Sequence, residues 1–490
     1  MGQTSTAVDV KLDTRIIVAS QVLGRPTMNS IRNALGEIDT RHVMHPYANL
    51  RANESGTPLI VTRGEGIHVY DSTGRQYIEG VAALWYASLG FSEERLAQAA
   101  FDQMKRLPCY HAFGNKISDV VVELTEKLVE LAPPGLAHVF YSSSGSEAND
   151  TAMKLVRYYN NARGRPNKKK IIARQWAYHG TTLATSSLTG VPRNHLDFDV
   201  PAPGVIHVEC PSFYRSGRDG ETEEQYADRL VAEIEAVIAR EGAESIAAFW
   251  AEPVMGVGGV IVPPKTYFAK IQSLLKKYDI LFVVDEVIAG FGRLGKMFGS
   301  EVFDLDPDML VLAKALSSGY APISALLVHD RIWDVLADNS SKHGVLGHGY
   351  TYSAHPMPAA VALETLRIYE ERNIIGHVQD IAPIFRANLE RFRGSRIVGD
   401  IRCVGLMAGI EFVADRKTRA KFSPEIAVAR IAETRCLEHG LVLRAIGDVL
   451  AISPPLIITE SELADLFARL EQAVSETEAE LVRLGQLPPV

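Results

Sequence analysis

The stretch Ile280-Leu281-Phe282-Val283-Val284-Asp285-Glu286-Val287-Ile288-Ala289-Gly290-Phe291-Gly292-Arg293-Leu294-Gly295 governs how the rest of the chain is read. Its opening apolar run is far too short to span a membrane and has the length of a strand buried on both faces. Two carboxylates end it. An acid at the carboxyl end of a core strand is costly unless it meets a positive partner; the plainer reading is that Asp285 caps the next loop or pairs with a neighbouring arginine. Gly290, Gly292 and Gly295 also spell the dinucleotide fingerprint G-x-G-x-x-G. That fingerprint should join strand directly to helix, whereas here further residues intervene and no obvious helix follows. Lys296 nearly completes a P-loop, but Met297 replaces the hydroxyl residue that would hold magnesium.

On both sides of this strand the chain alternates between two kinds of segment. His138 to Ser142, Lys170 to Arg174 and Ser245 to Ala251 read as strands, and Ala148 to Tyr159 and Tyr267 to Tyr278 as helices. Such alternation predicts an α/β fold built on a doubly wound, mainly parallel sheet, with ligands at the carboxyl ends of the strands. After about Pro356 the texture changes to a helix (Met357 to Glu371), strands near Gly405 to Phe412 and Leu441 to Leu443, and an amphipathic helix capped by Thr459-Glu460-Ser461-Glu462. This reads as a smaller α+β domain. Gly66 to Ile78 reads as a hairpin around an Asp71-Ser72-Thr73-Gly74 turn. The boundaries expected are an N-terminal arm over 1–35, an N-terminal part of the small domain over 36–90, the large domain over 91–356, and the C-terminal part of the small domain over 357–490. Met1 to Thr6 matches a loose myristoylation pattern with no second membrane signal, and is read as incidental.

Composition sets the outer limits. The 490 residues are 47% hydrophobic and 22% charged, with a net charge of −8. That suits a soluble globular protein and argues against a general nucleic-acid binder, which needs a basic face. Four cysteines without C-x-x-C spacing predict neither a zinc site nor a disulfide framework, and fit a reducing, cytoplasmic location. His42 and His45 have no accompanying ligand motif, so no metal is expected.

Three more stretches carry potential chemistry. Tyr141-Ser142-Ser143-Ser144-Gly145-Ser146-Glu147 stands ahead of a helix, where free backbone N–H groups and the helix dipole suit phosphate; an ordinary serine N-cap is the bland alternative. Lys314, in Leu312-Ala313-Lys314-Ala315, follows an apolar run. It either enters an apolar pocket and becomes a nucleophilic amine, or snorkels to the surface. Trp176-Ala177-Tyr178-His179-Gly180 places an aromatic at a loop. A phosphate cradle, a buried acid, a reactive lysine and a stacking aromatic are together the parts a pyridoxal phosphate enzyme needs.

The ordered set Ser144-Gly145-Ser146, Tyr178-His179-Gly180, Glu252-Pro253, Asp285-Glu286-Val287, Lys314 and Gly349-Tyr350-Thr351-Tyr352-Ser353-Ala354-His355-Pro356 closely resembles the class III aminotransferases, the ω-aminotransferases of the type I pyridoxal phosphate fold. The resemblance implies that pyridoxal 5'-phosphate is joined to Lys314, which when released acts as general base and acid. It further implies that Asp285 sits against the pyridine nitrogen, that Gly145 and Ser146 hold the phosphate, and that Tyr178 and Val287 cover the two ring faces. Glu252 is similar to a supporting acid near the cofactor's hydroxyl. Thr351 resembles a threonine that reaches the phosphate of a neighbouring subunit, implying a homodimer with shared sites, either alone or paired into a tetramer. Leu441-Val442-Leu443-Arg444-Ala445-Ile446-Gly447-Asp448 resembles the amine:pyruvate subgroup, in which the matching arginine binds the acceptor carboxylate; the plainer role for Arg444 is a structural ion pair. Trp85 is similar to a pocket aromatic, and Tyr110 and Val257 are expected near it. The activity implied is transfer of an amino group from a primary amine or ω-amino compound to pyruvate, giving L-alanine. An aminomutase or a decarboxylating aminotransferase is the nearest alternative, and a nicotinamide oxidoreductase built on Gly290, Gly292 and Gly295 a remote one.

Overall fold

The structure is a computed structural model that describes residues 28–56 and 58–489. The Met1 to Thr6 pattern and most of the proposed arm lie outside these residues. The chain divides into two compact units, one of residues up to 64 with 69–77, the other of 65–68 with 78–490. Within the first, a helix runs Met28–His42, and the turn after His68–Asp71 closes on the Asp71 carboxylate. Asp71 Oδ1 accepts from Thr73 N at 2.7 Å and Arg75 N at 3.0 Å, the self-bonded aspartate turn that the sequence suggests.

The second unit is built on a seven-stranded sheet. Its strands are β1 (Leu136–Ser142), β2 (Lys170–Arg174), β3 (Val205–Val208), β4 (Ile246–Ala251), β5 (Leu281–Asp285), β6 (Met309–Leu312) and β7 (Ser324–His329). The spatial order is β1-β7-β6-β5-β4-β2-β3. From β6 to β3 all pairings are parallel, and β7 alone runs antiparallel, between β1 and β6. Every residue of β4, β5 and β6 is buried, as a sheet covered on both faces requires. Alternation sorts the side chains between two cores. Ala248, Trp250, Leu281, Val283, Met309 and Val311 pack on the face covered by the helix Gly145–Ala162, while Phe249, Phe282, Val284, Leu310 and Leu312 pack on the other. Asp285 is the next position on the first face, so it points at that helix.

A second, antiparallel sheet follows in the same unit, in the order Val398–Val404, Met407–Phe412, Val449–Ile452, Arg444–Ile446. The helices Ile374–Glu390, Val428–Glu438 and Glu460–Arg483 belong to this region, and Thr459 with Glu462 makes the expected capping box. Among the described residues no helix is long and apolar enough to cross a membrane, no cluster could hold a metal ion, and all four cysteines are free.

The glycine-rich loop after β5 differs from a dinucleotide site. It is a buried irregular segment leading to a helix of only five residues, Gly299–Phe303, and Gly292 N donates back to Lys296 O. The helix start is occupied by the protein itself, since Glu286 accepts from Gly299 N at 2.8 Å and from Ser300 Oγ at 2.7 Å. Burial pushes the Glu286 carboxyl up to about 7. The second of the two consecutive acids is therefore a structural cap.

Candidate active site

The carboxyl ends of β1, β4, β5 and β6, with the loop after β2, converge on one cavity of about 330 Å³. Ser144, Gly145, Ser146, Tyr178, His179, Glu252, Asp285, Val287 and Lys314 all line it. These residues come from five loops, and the parallel sheet brings them together as the topology rule predicts.

Ser144 is the N-cap of Gly145–Ala162, its Oγ accepting from Glu147 N, while Glu147 reaches back to Ser143 N at 2.7 Å. Among the described residues the N–H groups of Gly145 and Ser146 carry no hydrogen bond, which leaves the helix start open to an anion. A Cβ on Gly145 would come within 3.1 Å and 3.2 Å of the Val287 methyls, so glycine lets that side chain close on the helix start. Gly180, at φ +133°, brings its loop against the same turn, and Ser146 Oγ accepts from Thr181 N.

Asp285 is held by three donors. Oδ2 accepts from Asn149 Nδ2 and from His179 Nδ1, each at 2.8 Å, and Oδ1 accepts from Val287 N at 3.1 Å. His179 Nε2 is buried without a partner among the described residues, and Nδ1 is the ring nitrogen that faces Asp285. Asn149 is in turn oriented by Trp250, whose indole N–H donates to Asn149 Oδ1 at 2.8 Å. With Oδ2 taking two donors and Oδ1 one, Oδ1 has the lone pair left for a ring N–H. Glu252 is wholly buried. Its carboxylate accepts from Tyr178 N and Gly256 N, and burial raises its pKa.

Lys314 lies just beyond β6 with φ +51°, a left-handed conformation that costs a non-glycine residue roughly 1–2 kcal/mol. Its Nζ makes no hydrogen bond among the described residues. Burial brings its pKa down to about 8, against the opposing pull of the Asp285 and Glu252 charges. A buried amine near neutrality is a nucleophile and a proton carrier. Pyridoxal phosphate fits this donor set, with a helix start for the phosphate, Asp285 for the ring nitrogen and Lys314 for the aldehyde.

The remaining predicted residues are placed differently. Trp85 is buried beside this cavity, with Lys314 Nζ 5.9 Å and Arg444 Cζ 5.7 Å from its ring centre, and its Nε1 donates to Ser453 Oγ. The turn presenting it holds Ala82, Ala83 and Trp85 at positive φ. Val257 lines a separate cavity. Tyr110 is exposed and stacks on His111. Thr351 is exposed on a loop that His348 ties to the phosphate-side helix, through Thr151 Oγ1 at 2.9 Å and Lys154 Nζ at 2.8 Å.

Asn149, Tyr86, Ser317 and Ile323 also line the Lys314 cavity and were not singled out from sequence. Asn149 had a signal. It falls on the inward stripe with Ala152, Met153 and Val156, where a polar side chain must find a buried partner.

The family model described as aminotransferase class-III matches residues 50–474. A protein named probable gamma-aminobutyrate transaminase 2, mitochondrial, from Oryza sativa subsp. indica is 50% identical over 428 residues, covering 87% of this chain and 86% of its own. The chloroplastic gamma aminobutyrate transaminase 3 of Solanum lycopersicum is 46% identical over 470 residues, 94% of this chain and 90% of its own. Among solved structures, the omega transaminase of Pseudomonas jessenii in complex with PMP has a TM-score of 0.90 at 48% identity, over 91% of this chain and 99% of that one.

Proposed function

The chain belongs to the class-III aminotransferases, which carry out pyridoxal phosphate-dependent transamination on the type I fold, and from that premise we propose that it passes the amino group of an ω-amino compound or primary amine to pyruvate, forming L-alanine. The observation that carries the reading is the meeting of a half-buried, desolvated Lys314 and an oriented Asp285 at an open helix start. The bound cofactor supplies the carbonyl that takes up the amino group and the ring that accepts the electron pair of the C–H bond.

The protein's own residues supply the rest. The N–H groups of Gly145 and Ser146 hold the phosphate. Asp285 Oδ1 keeps a proton on the ring nitrogen, and Asn149 and His179 keep Oδ1 aimed. Tyr178 and Val287 bracket the ring. Glu252, tied to Tyr178 N, holds that aromatic in place. Lys314 Nζ removes the proton from the amine-bearing carbon and returns it on the cofactor side. Arg444, beside Trp85 and near Lys314, takes the acceptor carboxylate; its guanidinium suits two parallel hydrogen bonds.

Thr351 serves the site of a second subunit in a homodimer. Support comes from an apolar groove of about 990 Å³ next to its loop, lined by exposed Phe113, Ile117, Val122 and Val345. Two gamma-aminobutyrate transaminases among the relatives support an ω-amino acid as donor.

The test is a pair of half-reactions. Holoenzyme offered 4-aminobutanoate should lose its visible absorbance band, and pyruvate should restore it with one alanine formed per site. Restoration by 2-oxoglutarate alone would refute the pyruvate assignment.

A further inference from the structure

Beside the Lys314 cavity lies another, of about 510 Å³. Three chain segments contribute to both neighbourhoods. Trp176 lines this cavity and Tyr178 the other. Val257 lines this one, next to Gly256, whose N–H is bonded to the Glu252 carboxylate of the other. Ile446 lines this one, two residues past Arg444, which shares the Trp85 ring with Lys314.

The wall is apolar at Val257 and Ile261, and Trp176 offers a half-exposed indole. Most of the charge is already matched. Arg402 is bonded to Asp400 at 2.7 Å, to Glu411, and to the carbonyls of Gly259 and Val260. Arg215 is bonded to Glu411 and to Arg419 O. Lys421 pairs with Asp448 at 3.1 Å. What is left unmatched is positive. Arg193, on the short turn Pro192–Asn194, is exposed and has no hydrogen-bond or ion-pair partner among the described residues. Arg215 Nη2 is buried without one. A free guanidinium at an apolar-walled cavity selects a carboxylate, because the two groups match in charge and in fork geometry.

We propose that this cavity is the tail subsite of the amine donor, with Arg193 binding the far carboxylate of an ω-amino acid while its amine reaches Lys314. The proposal rests on the transamination reading and deepens it: donor and acceptor carboxylates are read by different arginines, Arg193 and Arg444. Neutral amines then enter the same cavity without the charge contact.

The test compares 4-aminobutanoate with butylamine, which differs only in lacking the carboxylate, in single-turnover amine half-reactions. In Arg193→Gln the half-saturating concentration of 4-aminobutanoate should rise at least tenfold more than that of butylamine, with the limiting rate for 4-aminobutanoate within about twofold. Arg193→Lys, which keeps the charge and loses the fork, should recover part of that difference. Equal weakening of both donors, or of neither, would overturn the proposal. If wild-type holoenzyme reacted with neither donor, the transamination reading itself would fail, a result distinct from an active enzyme indifferent to Arg193.

Discussion

The side-chain amide of Asn149 donates to Asp285 Oδ2 at 2.8 Å, and its carbonyl oxygen accepts the indole N–H of Trp250 at the same distance. One neutral residue thus connects the acid at the end of β5 to the aromatic core of β4. Replacing Asn149 by leucine strips Asp285 of a donor and leaves a fully buried indole N–H without an acceptor. Each loss costs about 1–3 kcal/mol. The melting temperature should fall, and turnover should drop roughly tenfold as Asp285 loses its aim. Asn149→Asp should be worse than the leucine variant, because it buries a second carboxylate against the first. Calorimetry and steady-state rates on the two variants check the order.

Lys314 sets a pH dependence for cofactor capture. Only the unprotonated amine attacks an aldehyde, and burial holds this amine near 8 rather than 10.5. The rate at which apoenzyme takes up pyridoxal phosphate should therefore rise with pH to about 8 and then level, not climb towards 10.5. Stopped-flow absorbance measures it. Lys314→Ala should lose the covalent attachment and at least about a thousandfold in turnover.

Glu79 governs a stability trend. It is buried and accepts from Val81 N at 3.0 Å, and burial pushes its pKa up to about 7 from the ordinary 4.5 of a glutamate. Between these values the folded protein keeps a proton that the unfolded chain has released, so stability falls as pH rises through this window. The cost is complete above 7. Glu79→Gln keeps an oxygen for Val81 N and never ionises. Its unfolding free energy relative to the parent should climb from pH 4.5 to 7 and stay flat beyond, with a ceiling of about 3 kcal/mol, as denaturant titration at each pH would measure.

Gly319 tests the packing of the cavity wall. It has φ +78°, and a Cβ there would fall 2.2 Å from Tyr86 Cδ2. Gly319→Ala must displace the Tyr86 ring, which lines the Lys314 cavity. A destabilisation of about 1–3 kcal/mol is expected. Faster cofactor loss on dialysis should accompany it, readable by absorbance.

The core of the sheet was legible because β4, β5 and β6 are buried on both faces and so appear as unbroken apolar runs. Strand β7 left a weaker trace. Its antiparallel place between β1 and β6 is set on one side by pairing with Val139, far away in the chain, and on the other by pairing with Leu310 of the preceding strand. Part of the Lys314 cavity was legible too, since Ser144, Glu252, Asp285 and Lys314 sit where strands end. Trp85 and Arg444 were reached only through the family resemblance, not from local pattern. The Trp85 turn holds Ala82, Ala83 and Trp85 in the left-handed region without a glycine among them, so no composition signal marks it. Trp85 meets Arg444 only through tertiary packing, and Asn149 was hidden inside a helix whose period, not its polar exception, was read.

The position of the Trp85 ring centre, 5.9 Å from the Lys314 amine and 5.7 Å from the Arg444 guanidinium, has an optical consequence. Indole emission responds to nearby charge, so any ligand that neutralises or displaces either cation should change the colour of this residue. The other three tryptophans stand in different settings: Trp176 half-exposed, Trp250 bonded to Asn149, and Trp333 stacked on His138. With Trp176 and Trp333 held as phenylalanine, Trp85 would report ligand binding against the steady signal of Trp250, needing neither a dye nor turnover.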